Sequence, residues 1–183
     1  LQVSLVERGI APFGGAPALP GGFVLQEESG IGAARRELVE ETGLDLGATH
    51  LEQLATFGDP GRDPRGRVIS VAHLALAASL GGLAPGSDAA GARWCPVQDV
   101  PALAFDHDEI LRAGIERARA KLEYTTIATR FCGPQFTMTE LRQVYEAAWG
   151  VEVDARNFSR KVLGSRGFVV ECGTRRGGRG RPA

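Results

Sequence analysis

Between Gly22 and Leu44 the chain places Glu28, Arg36, Glu37, Glu40 and Glu41 at spacings that constrain the local fold more tightly than any other segment. Ile31, Ala34 and Leu38 recur at helical intervals and Gly43 stands where a glycine ends a helix, so a helix is predicted from about Ile31 up to Gly43. On it Glu37, Glu40 and Glu41 fall at i, i+3 and i+4, which projects their carboxylates from one face of one turn. Like charges so placed repel, and a cation resolves the repulsion. A hard divalent ion such as Mg2+ or Mn2+ prefers oxygen ligands and is commonly completed by phosphates. Glu37, Glu40 and Glu41 are therefore the candidate metal ligands, with Glu28 able to reach the same group; the alternative is a solvated acidic helix face.

Around this helix Leu1–Arg8, Leu51–Phe57, Val68–Ala77 and Arg93–Val97 read as strands. They are separated by Gly/Pro-rich loops, of which Gly9–Gly22 is expected to lack regular structure. One helix among several strands implies an α/β domain over residues 1–118. From Asp108 strand character disappears until Phe168. Glu109–Leu122 reads as an amphipathic helix that joins the halves without a Gly/Ser spacer, and a second helix near Glu123–Phe131 stops at Gly133-Pro134. Thr137 and Glu140 form a T-x-x-E capping box, with Phe136 as its hydrophobic staple, opening a third helix that stops at Gly150. Asp154 caps a fourth through about Leu163, and Phe168–Cys172 reads as a strand.

The formal net charge of −1 conceals two opposite halves. Residues 1–118 hold 9 Lys+Arg and 16 Asp+Glu, a net of −7; residues 119–183 hold 12 and 6, a net of +6. The first composition suits metal ions and the second a polyanion. Two helices joined by a short turn, the second carrying Arg156, Asn157, Arg160 and Lys161, have the order of a helix-turn-helix. Arginine and lysine meet phosphates or guanine edges, and asparagine pairs with adenine. The glycine-spaced Arg175, Arg176, Arg179 and Arg181 would form a wing over the DNA backbone or in the minor groove. Cys95, Cys132 and Cys172 lie far apart without metal-ligand spacing and read as reduced thiols of a cytoplasmic protein. No apolar run approaches the roughly 18 residues of a membrane span. The chain begins at Leu1 inside a predicted strand, so a preceding segment is expected.

Gly22, Glu28, Arg36, Glu37, Leu38, Glu40, Glu41, Gly43 and Leu44 satisfy G-x5-E-x7-R-E-U-x-E-E-x-G-U, with U a bulky aliphatic, at every defined position. This segment resembles the Nudix box, and the surrounding strands resemble the Nudix α/β/α sandwich. The resemblance implies metal-assisted attack of water on a pyrophosphate, with Glu37, Glu40, Glu41 and Arg36 as the catalytic set. Arg36 would fix the loop through a charge-assisted bond to a neighbouring carboxylate. A site that binds without turnover stays open beside an active one. The loop Gly58–Arg67 resembles that of Nudix proteins acting on ADP-ribose. Arg62, Arg65 and Arg67, with Gly22, are the corresponding ligand-binding candidates; the alternative is a solvated loop whose arginines pair with Asp59 and Asp63. Two departures stand out: Gly91 occupies a position where many Nudix proteins carry a glutamate, and the loop before the box lacks a common arginine and tryptophan. His50, His73 and His107 show no ligand spacing and are expected to be structural, His107 being the one worth substituting.

In the second half Lys121-Leu-Glu-Tyr-Thr, Phe136-Thr-Met-Thr-Glu-Leu, Val144-Tyr-Glu, Arg156-Asn-Phe-Ser-Arg-Lys and Gly177-Gly-Arg-Gly-Arg-Pro-Ala resemble the C-terminal domain of Nudix-related transcriptional regulators of NAD metabolism. The resemblance implies a winged helix-turn-helix over residues 119–183 and a homodimeric repressor of NAD biosynthesis or salvage genes. It would bind double-stranded operator DNA and be released by ADP-ribose. The competing expectation is an Mg2+- or Mn2+-dependent ADP-ribose pyrophosphatase whose second domain serves dimerisation or protein contact.

Overall fold

The computed structural model describes residues 1–47, 51–77, 82–83 and 89–173. The chain divides into two compact units, Leu1–Ala118 and Arg119–Ala183. In the first, strand β1 (Gln2–Arg8) is central: it pairs antiparallel with β2 (Pro17–Ala18) on one side and β5 (Ala89–Pro96) on the other. Alternation along β1 buries both faces. Leu5 packs with Cys95 and Leu103, while its neighbour Val6 packs with Ala18 and Ala104. A second antiparallel pair joins β3 (Leu51–Phe57) to β4 (Ser70–Ala75). Helix α1 (Gly30–Thr42) contacts strands of both sheets. Ser29 caps it by accepting from the Gly32 N–H, and Gly43 ends it with φ 71°, a left-handed conformation that glycine adopts without a Cβ penalty.

Strand β2 lies inside Gly9–Gly22, where regular structure was not expected. Its partner is β1 through Val6↔Ala18, and proline is tolerated at such an edge because the missing N–H has no ladder bond to make. Strand β5 begins earlier than the apolar pattern suggests, because pairing with β1 carries Ala89–Ala92 into the sheet despite weak intrinsic preference.

Helix α2 (His107–Tyr124) is followed by a 3-10 segment, Thr126–Phe131, where an α-helix was expected. In the second unit, α3 (Met138–Trp149) opens on the complete capping box of Thr137 and Glu140 and closes at Gly150, φ 69°. Helix α4 (Ala155–Gly164) is capped by Asp154, whose carboxylate accepts from the Asn157 N–H at 2.8 Å. Leu122, Ala128, Leu141, Ala148, Phe158 and Val162 form one buried core. Residues 168–172 form no strand; a strand requires a hydrogen-bonding neighbour, and none lies alongside among the described residues.

Candidate functional site

Three of the four box glutamates converge on Arg36. Its Nε and Nη2 fork the Glu28 carboxylate at 3.1 and 2.6 Å, its Nη1 donates to both Glu37 and Glu40 at 2.8 Å, and Nη2 also donates to the Phe23 carbonyl at 3.1 Å. Charge-assisted bonds of this kind are shorter and stronger than neutral ones. They raise the basicity of Arg36, and the Arg36 bond together with the Leu25 N–H holds the Glu28 carboxyl below its ordinary range. Glu41 turns to the preceding loop, where its Oε2 accepts from the Gly21 N–H at 2.8 Å. A Cβ at Gly22 would run into the Glu37 carboxylate, so any other residue there would push Glu37 off Arg36. The helix thus brings Glu28, Glu37 and Glu40 together with Gly22 and Phe23, and ties Glu41 to the same loop. Among the described residues no three His, Cys, Asp or Glu side chains form a ready ion-binding group.

The three arginines of the Gly58–Arg67 loop differ in their surroundings. Arg62, with only 5% of its side chain exposed, forks Asp106 and donates from Nη1 to Ser70 Oγ at 2.7 Å. It is a strut between the loop and the start of α2. Arg65 pairs with Asp63 at 2.7 Å, and this pairing holds the Asp63 carboxyl down to about 2, yet 42% of the Arg65 side chain faces solvent. Arg67 donates to the Gly58 carbonyl and lies exposed. Pairing with aspartate therefore holds for Arg65 through Asp63, whereas Arg62 takes Asp106, 44 residues away.

His107 accepts the Leu19 N–H on its Nδ1 at 3.0 Å, which leaves the proton of the neutral ring on Nε2. Burial pushes its pKa down to about 4 against the opposing pull of Asp106. With Glu41 on Gly21, His107 holds the loop before the box by two backbone amides two residues apart. Asp106 was missed by sequence reasoning although it directly precedes His107, the histidine singled out for substitution. Phe23 and Phe105, whose rings face the Arg65 guanidinium, and Arg8 and Phe13, which pack on Phe105, also went unnoticed; no spacing rule links them.

On α4 the buried face is Phe158 and Val162, and the exposed face carries Arg156, Asn157, Arg160 and Lys161. Arg160 Nη2 donates to Asn157 Oδ1 at 2.9 Å, and among the described residues none of the three cations meets a carboxylate. The turn into α4 is held at one residue: the Val153 N–H donates to Glu146 Oε1 at 3.0 Å, and the Val153 carbonyl accepts from Arg142 Nη1 at 3.1 Å. Tyr145 supports this from below, with its hydroxyl on the Leu122 carbonyl and its ring edge-on to Phe158. Arg175, Arg176, Arg179 and Arg181 lie outside the described residues, as does His50.

Comparison with known proteins divides the chain in the same sense. Residues 1–114 match the NUDIX domain family, and residues 128–183 match the NrtR DNA-binding winged helix domain family. The chain is 34% identical over 175 residues to the ADPR responsive transcriptional repressor NtrR of Acinetobacter baylyi, covering 93% of this chain and 69% of that protein. Over 111 residues it is 41% identical to the ADP-ribose pyrophosphatase of Methanocaldococcus jannaschii, covering 61% of this chain and 64% of that one. The crystal structure of Shewanella oneidensis NrtR complexed with a 27mer DNA aligns with a TM-score of 0.72 at 32% identity, covering 99% of this chain and 83% of that one. A carboxylate-bearing α/β domain and a basic helix-turn-helix define a metabolite-linked DNA-binding protein, and this chain belongs to the NrtR family of Nudix-domain transcriptional regulators.

Proposed function

We propose that the protein is a transcriptional repressor that binds operator DNA through α4 and is released by ADP-ribose or a related nucleoside diphosphate bound in its first domain. The observation that carries this reading is the solvent-facing set Arg156, Asn157, Arg160 and Lys161 on a capped helix whose turn is clamped by Arg142 and Glu146. A basic helix clamped at its turn, whose cations meet no carboxylate among the described residues, suits insertion in the major groove. Arg160 and Asn157 can read base edges while Arg156 and Lys161 meet phosphates, and Arg175, Arg176, Arg179 and Arg181 add positive charge to the same half of the chain. The DNA complex of the Shewanella relative and the ADPR-responsive Acinetobacter repressor support the same partners. The protein acts in the cytoplasm as a homodimer, reading half-sites about one helical turn, roughly 34–36 Å, apart. Its target genes are those of NAD biosynthesis or salvage.

The cluster of Glu28, Glu37 and Glu40 on Arg36, with Glu41 on the same helix but turned to Gly21, holds more carboxylates than the one guanidinium at its centre neutralises. Its oxygens are the hard donors that Mg2+ or Mn2+ takes, so the residues fit such an ion. Bound there, the ion would neutralise charge on a diphosphate. The exposed Arg65 and Arg67 are suited to the anionic ligand; Arg62 supports the loop. A second reading, metal-dependent ADP-ribose pyrophosphatase activity, is favoured by the complete box and by the 41% identity to the Methanocaldococcus enzyme.

The test is a mobility-shift titration on the promoter of a NAD-biosynthesis operon with and without ADP-ribose. The expected result is a shift that ADP-ribose reverses. A shift indifferent to ADP-ribose, together with release of AMP from it, would replace the first reading by the second.

A further inference from the structure

Asn157 and Arg160 stand three residues apart on α4, a spacing that places both side chains on one face of the helix. Both are exposed, and Arg160 Nη2 donates to Asn157 Oδ1 at 2.9 Å. A guanidinium has five donors and no acceptor, so the amide atom that meets it is the oxygen. Reading adenine makes a different demand on an asparagine. It donates to adenine N7 and accepts from the N6 amino group, which requires Oδ1 to face the base. Here that oxygen is engaged within α4 itself. Its remaining lone pair does not restore the adenine pattern, because an amino group arriving there would bring its hydrogens toward those of the guanidinium, donor against donor.

The neighbouring groups do not supply the acceptor instead. Arg156, Arg160 and Lys161 only donate. Ser159 Oγ turns back along its own helix and donates to the Ala155 carbonyl at 2.8 Å. Asp154 Oδ1 accepts the Asn157 N–H at 2.8 Å as the helix cap. The outward set is therefore matched to acceptors, and guanine offers two of them, O6 and N7, on one base edge. The Asn157 bond also bears on how Arg160 meets that edge, since a long side chain already held by a neighbour loses less freedom on binding. The buried Phe158, next to Asn157 in sequence, and the Asp154 cap fix the backbone from which the pair projects.

We propose that Asn157 is a positioning residue: by holding Arg160 it sets that guanidinium to fork O6 and N7 of one guanine in the major groove. The preference for guanine then belongs to the Asn157–Arg160 pair, and Asn157 does not pair with adenine as its residue type alone suggests. The proposal rests on the operator-binding reading above and adds which base α4 selects.

Duplexes selected from a random library by the full chain test this. The selected sites are expected to share a guanine whose replacement by adenine weakens wild-type binding about 5- to 150-fold, the equivalent of the ~1–3 kcal/mol of one bidentate base contact. In Asn157→Ala the same replacement is expected to cost far less, with the salt dependence of binding unchanged. Asn157→Asp keeps an oxygen for Arg160 and loses the amide donors; it is expected to retain the guanine preference while its added charge weakens every sequence alike. Purine, which lacks the N6 amino group, is expected to replace adenine with equal effect in the wild type and in Asn157→Ala. A guanine preference as strong in Asn157→Ala as in the wild type would overturn the proposal. So would a loss on replacing adenine by purine that the wild type shows and Asn157→Ala does not; both results leave the regulator reading intact. Failure of the wild-type chain to select any duplex would overturn both.

Discussion

Helices α1 and α4 both begin on a side-chain cap and both carry four functional polar groups, but they treat their charges in opposite ways. On α1 one cation, Arg36, meets Glu28, Glu37 and Glu40, so these carboxylates are held in place by a partner built into the same motif. On α4 the cations Arg156, Arg160 and Lys161 face solvent without counterions among the described residues, and the order comes from beneath, through Phe158, Val162, the Asp154 cap and the Val153 clamp. The first arrangement pre-organises a site for a small, highly charged ligand. The second presents charge to a surface that brings its own counterions and releases them on binding.

The largest way to break this contrast is to remove the support under α4. Phe158→Ala empties a core position shared with Tyr145 and Leu141, at a cost of about 3–5 kcal/mol, and is expected to abolish operator binding. ADP-ribose binding by calorimetry should survive, since the first unit has its own cores around Leu5 and Val6. Loss of both functions together would show that the two units do not fold separately.

The next effect belongs to the first unit. The pKa of His107 is depressed in the folded state, to about 4, from an ordinary value near 6.5, so the folded chain binds fewer protons than the unfolded one between those limits. The stability it contributes is complete above pH ~6.5 and is lost as pH falls toward ~4, at up to about 1.4 kcal/mol per pH unit. Protection factors of amides in β1 and β2, corrected for the intrinsic exchange rate at each pH, should fall as pH drops through this window in the wild type and much less in His107→Gln, whose amide oxygen can still accept from Leu19. An unchanged pH dependence in the variant would remove His107 from the loop's support.

The termini of α1, α3 and α4 were legible because each rests on local chemistry: Gly43 and Gly150 in left-handed backbone, the Thr137–Glu140 box, and Asp154. Helical spacing also made the nearness of Glu37 and Glu40 legible, whereas Glu41, expected beside them, turns to the Gly21 N–H. What stayed hidden depends on residues brought together by the fold. Arg62 was taken for a ligand contact, yet it lies on Asp106; β2 is a strand only because Val6 lies opposite; and Arg8 and Phe105 are nearly a hundred residues apart. The strand expected at Phe168–Cys172 had the right residue types and no neighbour to pair with among those described.

The smallest change sharpens the account of α4. Each phosphate neutralised by a lysine or arginine contributes about 0.9 to the slope of log affinity against log salt. Lys161→Ala, at an exposed position, should reduce that slope by about this amount and weaken all sequences alike, whereas Asn157→Ala should leave the slope intact and relax the preference at one base pair. Identical slopes for Lys161→Ala and the wild type would place Lys161 off the backbone.

The central claim is that one chain couples the two helices, and reciprocity tests it most directly. If ADP-ribose weakens operator binding, operator must weaken ADP-ribose binding by the same factor, for which ~1–3 kcal/mol, about 5- to 150-fold, is the usual range. Calorimetric titration of ADP-ribose into the free protein and into the operator-saturated protein measures it. The account predicts weaker ADP-ribose binding in the presence of operator, by the factor found in the mobility shift; equal affinity in both titrations would contradict it.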